Sequence, residues 1–368
     1  MELQRAIGQL LVIGFEGTEL SPSVTSLLRR LQPAGVILFA RNLTSAPQTR
    51  QLLEDCQACV STRLFTCVDL EGGRVDRFRE VLGPTPSAAD VFASGDRRLF
   101  RRHGRIIGEC CRALGFNTDF APVVDLALEA SRRVMSSRTV SASPGQVVTY
   151  AREFLAGLRA SGVLGAGKHF PGLGEANLDT HQELPRVQKS MRKLWQEDIY
   201  PYRALRRELP MVMVSHASYP RVTRDGQPAS LSRKWITDIL RTKIGYRGLI
   251  VSDDLEMGGV LKAAPIEKAA VEAIRAGCNL CLVCHREEFA LGAYAALLRE
   301  AGQNRGFARQ VQDSARRVLA CKKKAIEGKR RTPLPAAGKV AGLKRKLWEF
   351  GEQVRLESGQ GEPGGDEP

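Results

Sequence analysis

Short apolar runs rich in Val, Ile, Leu and Phe recur along the chain, and between them lie longer stretches in which apolar residues return with helical period. Eight such runs stand at residues 10–15, 35–39, 64–69, 117–125, 163–169, 211–216, 249–253 and 279–283. Strand-like runs alternating with helical stretches are the pattern of repeated βα units and a parallel sheet. Eight units predict an α/β fold of the (β/α)8 TIM-barrel type. An open doubly wound sheet is the competing architecture, but no GxGxxG follows the first run and no GxxxxGK(S/T) occurs.

The same pattern sorts the polar residues. Asp69, Asp125, Lys168 with His169, His216, Asp253 and His285 stand at or just beyond the C-terminal ends of runs. In a (β/α)8 barrel those ends line the one rim on which active sites are built, so groups far apart in sequence are gathered there.

A chain of 368 residues suits one barrel of about 250 residues with insertions and a tail. Residues 1–330 are expected to form the catalytic barrel and 331–368 a short, basic C-terminal extension. The last dozen residues, ending GEPGGDEP, have almost nothing to bury and are expected to be disordered.

Net charge is +15, which raises nucleic acid as a partner. The distribution argues against it. Residues 321–346 hold ten Lys or Arg against one Glu, so nine of the fifteen net charges sit in one stretch, and no zinc-finger spacing or stacked-aromatic motif accompanies it. A solvated basic face is the expectation, with no specific nucleic-acid partner. No apolar stretch approaches the roughly 18 residues of a membrane span. The first residues, MELQRAIGQLLVIGF, carry an acidic Glu2 in place of a basic leader, and nine cysteines are scattered without a disulfide framework. Both features point to the cytoplasm.

Three segments carry chemistry. In KHFPGLGEANLDTHQELP, residues 168–185, a strand ends in two basic groups and a Pro- and Gly-containing loop follows. Asp179 and His181 stand at the far end of that loop, two residues apart, so the carboxylate can fix the imidazole tautomer and support its charged form for proton transfer. In LIVSDDLEM, residues 249–257, a strand delivers adjacent carboxylates Asp253 and Asp254 to the rim. Two such groups are costly unless solvated, paired or used in chemistry; strand alternation puts them on opposite faces, and Asp254 could instead cap the next helix. In TCVDLEGGRVDRF, residues 66–78, Asp69 ends a strand and a double glycine turns the chain before Arg74 and Arg77. An anionic acceptor beside guanidinium donors suits sugar hydroxyls and amides, and equally a plain surface ion pair.

With these segments in place the sequence resembles the glycoside hydrolase family 3 enzymes, and within them the single-domain bacterial β-N-acetylhexosaminidases. The similarity runs over residues 10–283. Its most specific part is KHFPG followed by Asp-Thr-His at 179–181; GVILFARN (35–42), DLEGGRVDRF (69–78), NTDFAPVVDL (117–126) and VSDDLEM (251–257) support it. The resemblance implies a double displacement through a covalent glycosyl-enzyme. It places the nucleophile at the first aspartate after the serine, Asp253, and the proton donor at the loop histidine, His181, oriented by Asp179. Sugar-binding positions carried over are Asp69, Arg77, Lys168 and His169, with Arg138 in SSRTVSASP matching a family arginine. No cofactor and no metal are implied. The implied substrate is a small carbohydrate, a GlcNAc-containing muropeptide or disaccharide met in peptidoglycan recycling, and the expected state is a monomer. Leu173, Leu70 and Thr180 depart from the histidine, glutamine and serine of many relatives, which bears on substrate detail; none of them removes a group the mechanism needs.

Cys278, Cys281 and Cys284, followed by His285, look superficially like a metal site. Their context, AGCNLCLVC, reads as a buried strand, in which a spacing of three turns Cys281 away from the other two. Three function classes remain: N-acetylhexosaminide hydrolysis, in the lead; phosphorolysis or another family 3 β-glycosidase activity; and a non-enzymatic nucleic-acid or membrane-surface module using the basic stretch.

Overall fold

The computed structural model describes residues 1–176, 184–327 and 337–359. Its strands are β1 (Leu11–Ile13), β2 (Gly35–Ile37), β3 (Phe65–Val68), β4 (Leu70–Gly72), β5 (Val75–Asp76), β6 (Thr118–Asp119), β7 (Leu164–Phe170), β8 (Met211–Val214), β9 (Leu249–Asp254) and β10 (Leu280–Val283). Eight of them close a barrel in the order β1-β10-β9-β8-β7-β6-β3-β2, every pair parallel, while β4 and β5 form a separate antiparallel hairpin. Each expected run holds one barrel strand.

Run 117–125 is the least regular. Only Thr118–Asp119 pairs continuously, because Pro122 has no N–H to give. The ladder resumes at Val123, which bridges to Lys168, and at Val124, whose N–H donates to the Lys168 carbonyl at 2.8 Å. That irregularity carries Asp125 beyond the strand and onto the rim.

Alternation divides the core in two. Met211 and Met213, Leu249 and Val251, and Leu280 and Leu282 point into the barrel with Phe65, Cys67 and Phe120. Val212, Val214, Ile250 and Val283 pack outward against the helices. The interior is therefore solid, leaving chemistry to the ends. The N-terminal end is closed by Val318 and Ile326, beside fully buried Lys322, whose Nζ donates to Gln9 Oε1 at 2.7 Å and lies 5.3 Å from the Phe65 ring centroid. Lys322 thus corrects the expectation that the basic stretch is simply a solvated face.

Beyond residue 330 the extension includes a long helix, Ala337–Glu357. Leu343, Leu347, Phe350 and Val354, spaced by four, three and four, are buried against the barrel's outer helices, while Trp348 and Leu356 face solvent. Among the described residues no helix is long and apolar enough to cross a membrane. All nine cysteines are unpaired. Cys278 and Cys281 share the outer layer and Cys284 the inner one, because Cys278 precedes the strand; the alternation argument had set Cys281 apart instead.

Candidate active site

The C-terminal rim encloses a cavity of about 150 Å³. Asp69, Arg77, Arg138, Lys168, His169 and Asp253 all line it, together with Glu71, Phe39, Asp254, Leu173 and His285. The Asp179 and His181 assignments lie outside the described residues.

β7 ends in the two basic residues of the KHFPG segment. Lys168 Nζ reaches Asp69 Oδ1 at 2.7 Å and Glu71 Oε1 at 2.5 Å, and its side chain is almost wholly buried. Burial alone would lower its pKa, but Asp69 and Glu71 outweigh that and raise it, so the ammonium stays charged. Glu71 in turn receives Arg138 on both oxygens, Nε at 2.7 Å and a terminal nitrogen at 2.8 Å. Burial would push Glu71 up, yet Arg138 and Lys168 hold it far below the usual carboxylate range. Two cations and two carboxylates thus form a near-neutral cluster, in which Asp69 keeps the more open face toward the cavity.

His169 is oriented from behind. Asp125 Oδ2 accepts both the His169 backbone N–H at 3.1 Å and Nδ1 at 2.7 Å, and Oδ1 accepts the N–H of Leu173 at 2.8 Å. His169 Nε2 lies 3.4 Å from a terminal nitrogen of Arg138. Asp125 therefore ties the end of β7 to the start of the glycine-rich loop.

The hairpin β4–β5 places Glu71 and Arg77. Its turn needs glycine: Gly72 has φ +85°, and a Cβ there would sit 2.1 Å from the Pro86 carbonyl oxygen. Arg77 lies 5.5 Å from the Phe39 ring centroid, and its Nε is buried with no hydrogen-bond partner among the described residues. The Arg77 side chain lines the cavity wall. Beneath the hairpin, Asp119 accepts the Leu70 N–H at 2.9 Å, and burial pushes its carboxyl well above the usual range.

β9 delivers the adjacent aspartates. Both line the same cavity, where strand alternation had put them on opposite faces, since Asp254 ends the strand and bends into a turn. Asp254 Oδ1 accepts the Glu256 N–H at 3.0 Å and Oδ2 lies 3.5 Å from His285 Nε2, so its carboxylate is occupied structurally. Among the described residues Asp253 Oδ1 accepts only the Asp254 N–H, at 2.9 Å. Burial would raise its pKa, but His216, His169 and that N–H more than offset this, and the net shift is downward. A carboxylate held ionised at the cavity wall is equipped to attack. His216, one of the strand-end groups, is fully buried between Ser230 Oγ at 2.7 Å and the Asp254 carbonyl at 2.8 Å, where it backs the strand end.

The loop after β7 rests on a buried ion pair. Asp198 accepts Lys189 Nζ at 2.6 Å, and its side chain presses on Gly172, whose φ is +139° and whose Cβ would stand 2.5 Å from Asp198 Cβ. Tyr219 OH donates to the Gly172 carbonyl at 2.7 Å. Lys189 and Gly172 flank the stretch that carries residues 179 and 181, so both of its limbs are fastened at one place.

Sequence reasoning did not single out Glu71, Asp125 as a partner of His169, or the Phe39–His285 stack at 5.5 Å between ring centroids. Alternation from Asp69 through Glu71 was the available signal for the first. Among the described residues no group of three or more His, Cys, Asp or Glu is arranged to hold a metal ion.

Comparison with known proteins places this geometry in context. The glycosyl hydrolase family 3 N terminal domain matches residues 2–321. A β-hexosaminidase of Alkalilimnicola ehrlichii is 38% identical over 296 residues, 78% of this chain and 83% of that protein. The structure of a family 3 β-N-acetylglucosaminidase from Paenibacillus sp. superposes with a TM-score of 0.88 at 30% identity, over 95% of this chain and 69% of that one. NagZ from Neisseria gonorrhoeae gives 0.76 at 28% identity, over 96% and 98%. With the family domain spanning most of its length on a (β/α)8 barrel, the chain belongs to glycoside hydrolase family 3.

Proposed function

We propose that this chain is a retaining, exo-acting β-N-acetylhexosaminidase that releases terminal non-reducing GlcNAc through a covalent glycosyl-aspartate. The observation that carries the reading is Asp253, ionised and unclaimed by any side chain among the described residues, on the wall of a cavity whose other groups are fixed donors and acceptors. Asp253 attacks the anomeric carbon. Asp69, Arg77 and Lys168 hold sugar hydroxyls and the amide, and Arg138 and His169 complete that surface. His181, oriented by Asp179, gives its proton to the leaving oxygen and then takes one from water. At about 150 Å³ the cavity is smaller than the roughly 300–1,000 Å³ of drug-sized sites, which suits one sugar ring at a chain end.

The relatives named β-hexosaminidase and β-N-acetylglucosaminidase support the N-acetyl sugar. A GlcNAc-containing muropeptide or disaccharide, met in the cytoplasm during peptidoglycan recycling by a monomeric enzyme, is the substrate and setting we propose, with residues 1–330 as the catalytic unit and the remainder as its extension. Aryl β-N-acetylglucosaminide and aryl β-glucoside, each assayed with and without inorganic phosphate, test this. Release of free GlcNAc from the first alone, independent of phosphate, is expected. A phosphate requirement with GlcNAc 1-phosphate as product would replace hydrolysis by phosphorolysis, and preference for the glucoside would overturn the substrate.

A further inference from the structure

We infer that the C-terminal helix Ala337–Glu357 braces the active site, with Phe350 and His103 as positioning residues that hold the β4–β5 hairpin, and with it Arg77, against the cavity. The inference rests on the reading that Arg77 binds the sugar.

The hairpin is not part of the barrel, and two strands alone are marginally stable. Its own return stitches it: Asp76 accepts the N–H of Phe78 at 3.0 Å and of Thr85 at 2.8 Å, and Gly73 N–H donates to the Thr85 carbonyl at 2.9 Å. What stands behind that stitched unit is His103. This residue, on the helix Arg97–Leu114, is fully buried, holds Tyr150 OH at 2.8 Å through Nδ1, and lies so close to the turn that a Cβ on Gly72 would be 3.4 Å from its Nε2. Burial pushes its pKa down to about 3, so the ring is neutral at working pH and acts as a wedge rather than a charge.

The wedge is itself backed by the C-terminal helix. Phe350, fully buried, stacks on His103 with centroids 5.8 Å apart and planes at 30°. The Arg102 guanidinium lies 5.3 Å from the Phe350 centroid, and Arg102 also donates to Gln353. One residue on, a Cβ at Gly351 would lie 3.9 Å from Pro86, so the helix meets the hairpin's return directly. It also packs on the short helices Arg79–Leu82 and Ala88–Ala93, which flank that return. Packed interiors transmit displacement because they have no slack, so removing the Phe350 ring lets His103, and then the turn, shift. The family domain ends at residue 321, so this brace is built from chain beyond it.

The test compares Phe350→Ala with Trp348→Ala, a solvent-facing neighbour on the same helix, in the full-length protein. A displacement near 1 Å can cost up to about 100-fold in a positioned group's contribution, and a partial shift of a ground-state contact should raise KM by about three- to tenfold with kcat within twofold. Trp348→Ala should match wild type in both. Backbone hydrogen exchange, measured well below the melting temperature, should quicken in residues 70–87 of Phe350→Ala and stay unchanged in β8. Where Phe350→Ala does not fold, Phe350→Leu gives the same readouts with smaller changes. A folded variant with wild-type KM overturns the brace. Arg77→Ala separates the two readings: where it leaves KM unchanged, Arg77 is not a sugar ligand, and exchange alone decides, with unaltered rates in the hairpin again overturning the proposal.

Discussion

Arg138 presents two guanidinium nitrogens to the two oxygens of Glu71, at 2.7 and 2.8 Å, across 67 positions of sequence. The same carboxylate receives Lys168 at 2.5 Å, so one buried negative charge organises two buried positive ones. Changing Glu71 to Gln keeps the shape but removes that charge. Breaking a buried pair by neutralising one partner costs about 3–5 kcal/mol, and here two cations are left under-compensated. The variant should melt at a clearly lower temperature and bind substrate more weakly. Because the folded pKa of Glu71 is depressed, its stabilisation is fully present above the ordinary carboxylate range and is lost only as the solution becomes strongly acid. The Tm gap between wild type and variant should therefore persist at neutral pH and narrow on acidification; equal melting at pH 7 would contradict this role.

Much of this arrangement was legible in the sequence, and the limits have physical causes. Eight apolar runs announced the barrel, and the rim rule correctly gathered Asp69, Lys168, His169 and Asp253 from across the chain. Glu71 stayed hidden because an acid beside two glycines looks like a solvated turn residue until Lys168 and Arg138 arrive from elsewhere. Lys322 and the C-terminal helix were missed for a related reason: a stretch dominated by charge masks the four apolar residues that dock it. Alternation failed at Asp254 and Cys278 because both stand at strand ends, where period two no longer governs direction.

Replacing Asp253 with Ala should abolish turnover and leave the fold intact. The side chain is partly open to the cavity and has no side-chain partner among the described residues, so its loss leaves little void, whereas the covalent step has no substitute. A fall in kcat on the order of 10⁴-fold or more is expected with a near-native melting curve. A slow fluorinated substrate should leave its adduct on the peptide containing Asp253, as read by mass spectrometry. Label on Asp254 would move the nucleophile by one residue, and inverted product stereochemistry would remove the covalent mechanism.

Asp198 gives a pH dependence of stability with a definite sign. Burial pushes its carboxyl up from 3.8 to about 6 even though Lys189 pulls the other way. Between about pH 4 and 6 the folded protein holds a proton that the unfolded chain has released, so stability falls as pH rises through that window, by at most about 1.4 kcal/mol per unit. Asp198→Asn should flatten the curve there. Urea melts at pH 4.5, 5.5 and 6.5 check it; a variant with the wild-type slope would show that another group titrates.

The last prediction concerns His181, which we propose as acid and base on the family resemblance carried by its Asp-Thr-His segment. An acid matters most when the leaving group is poor, because a sugar alkoxide needs a proton in the transition state and a nitrophenolate scarcely does. His181→Ala should therefore slow glycosylation by a disaccharide far more than by an activated aryl glycoside. General acid–base catalysis contributes about 10²- to 10⁴-fold, so the two losses should differ by at least tenfold. Asp179→Asn should show a weaker form of the same selectivity, since the imidazole remains but loses the carboxylate that orients it. The anchoring of the flanking limbs by Lys189, Asp198 and Tyr219 implies a third arm: Asp198→Asn, with His181 intact, should lower both substrates about equally, because it disturbs where the loop sits and leaves the acid's chemistry in place. Equal losses on good and poor leaving groups in His181→Ala would remove the histidine from the acid role, and Glu175 or Glu183 on the same loop would be the carboxylates to replace next.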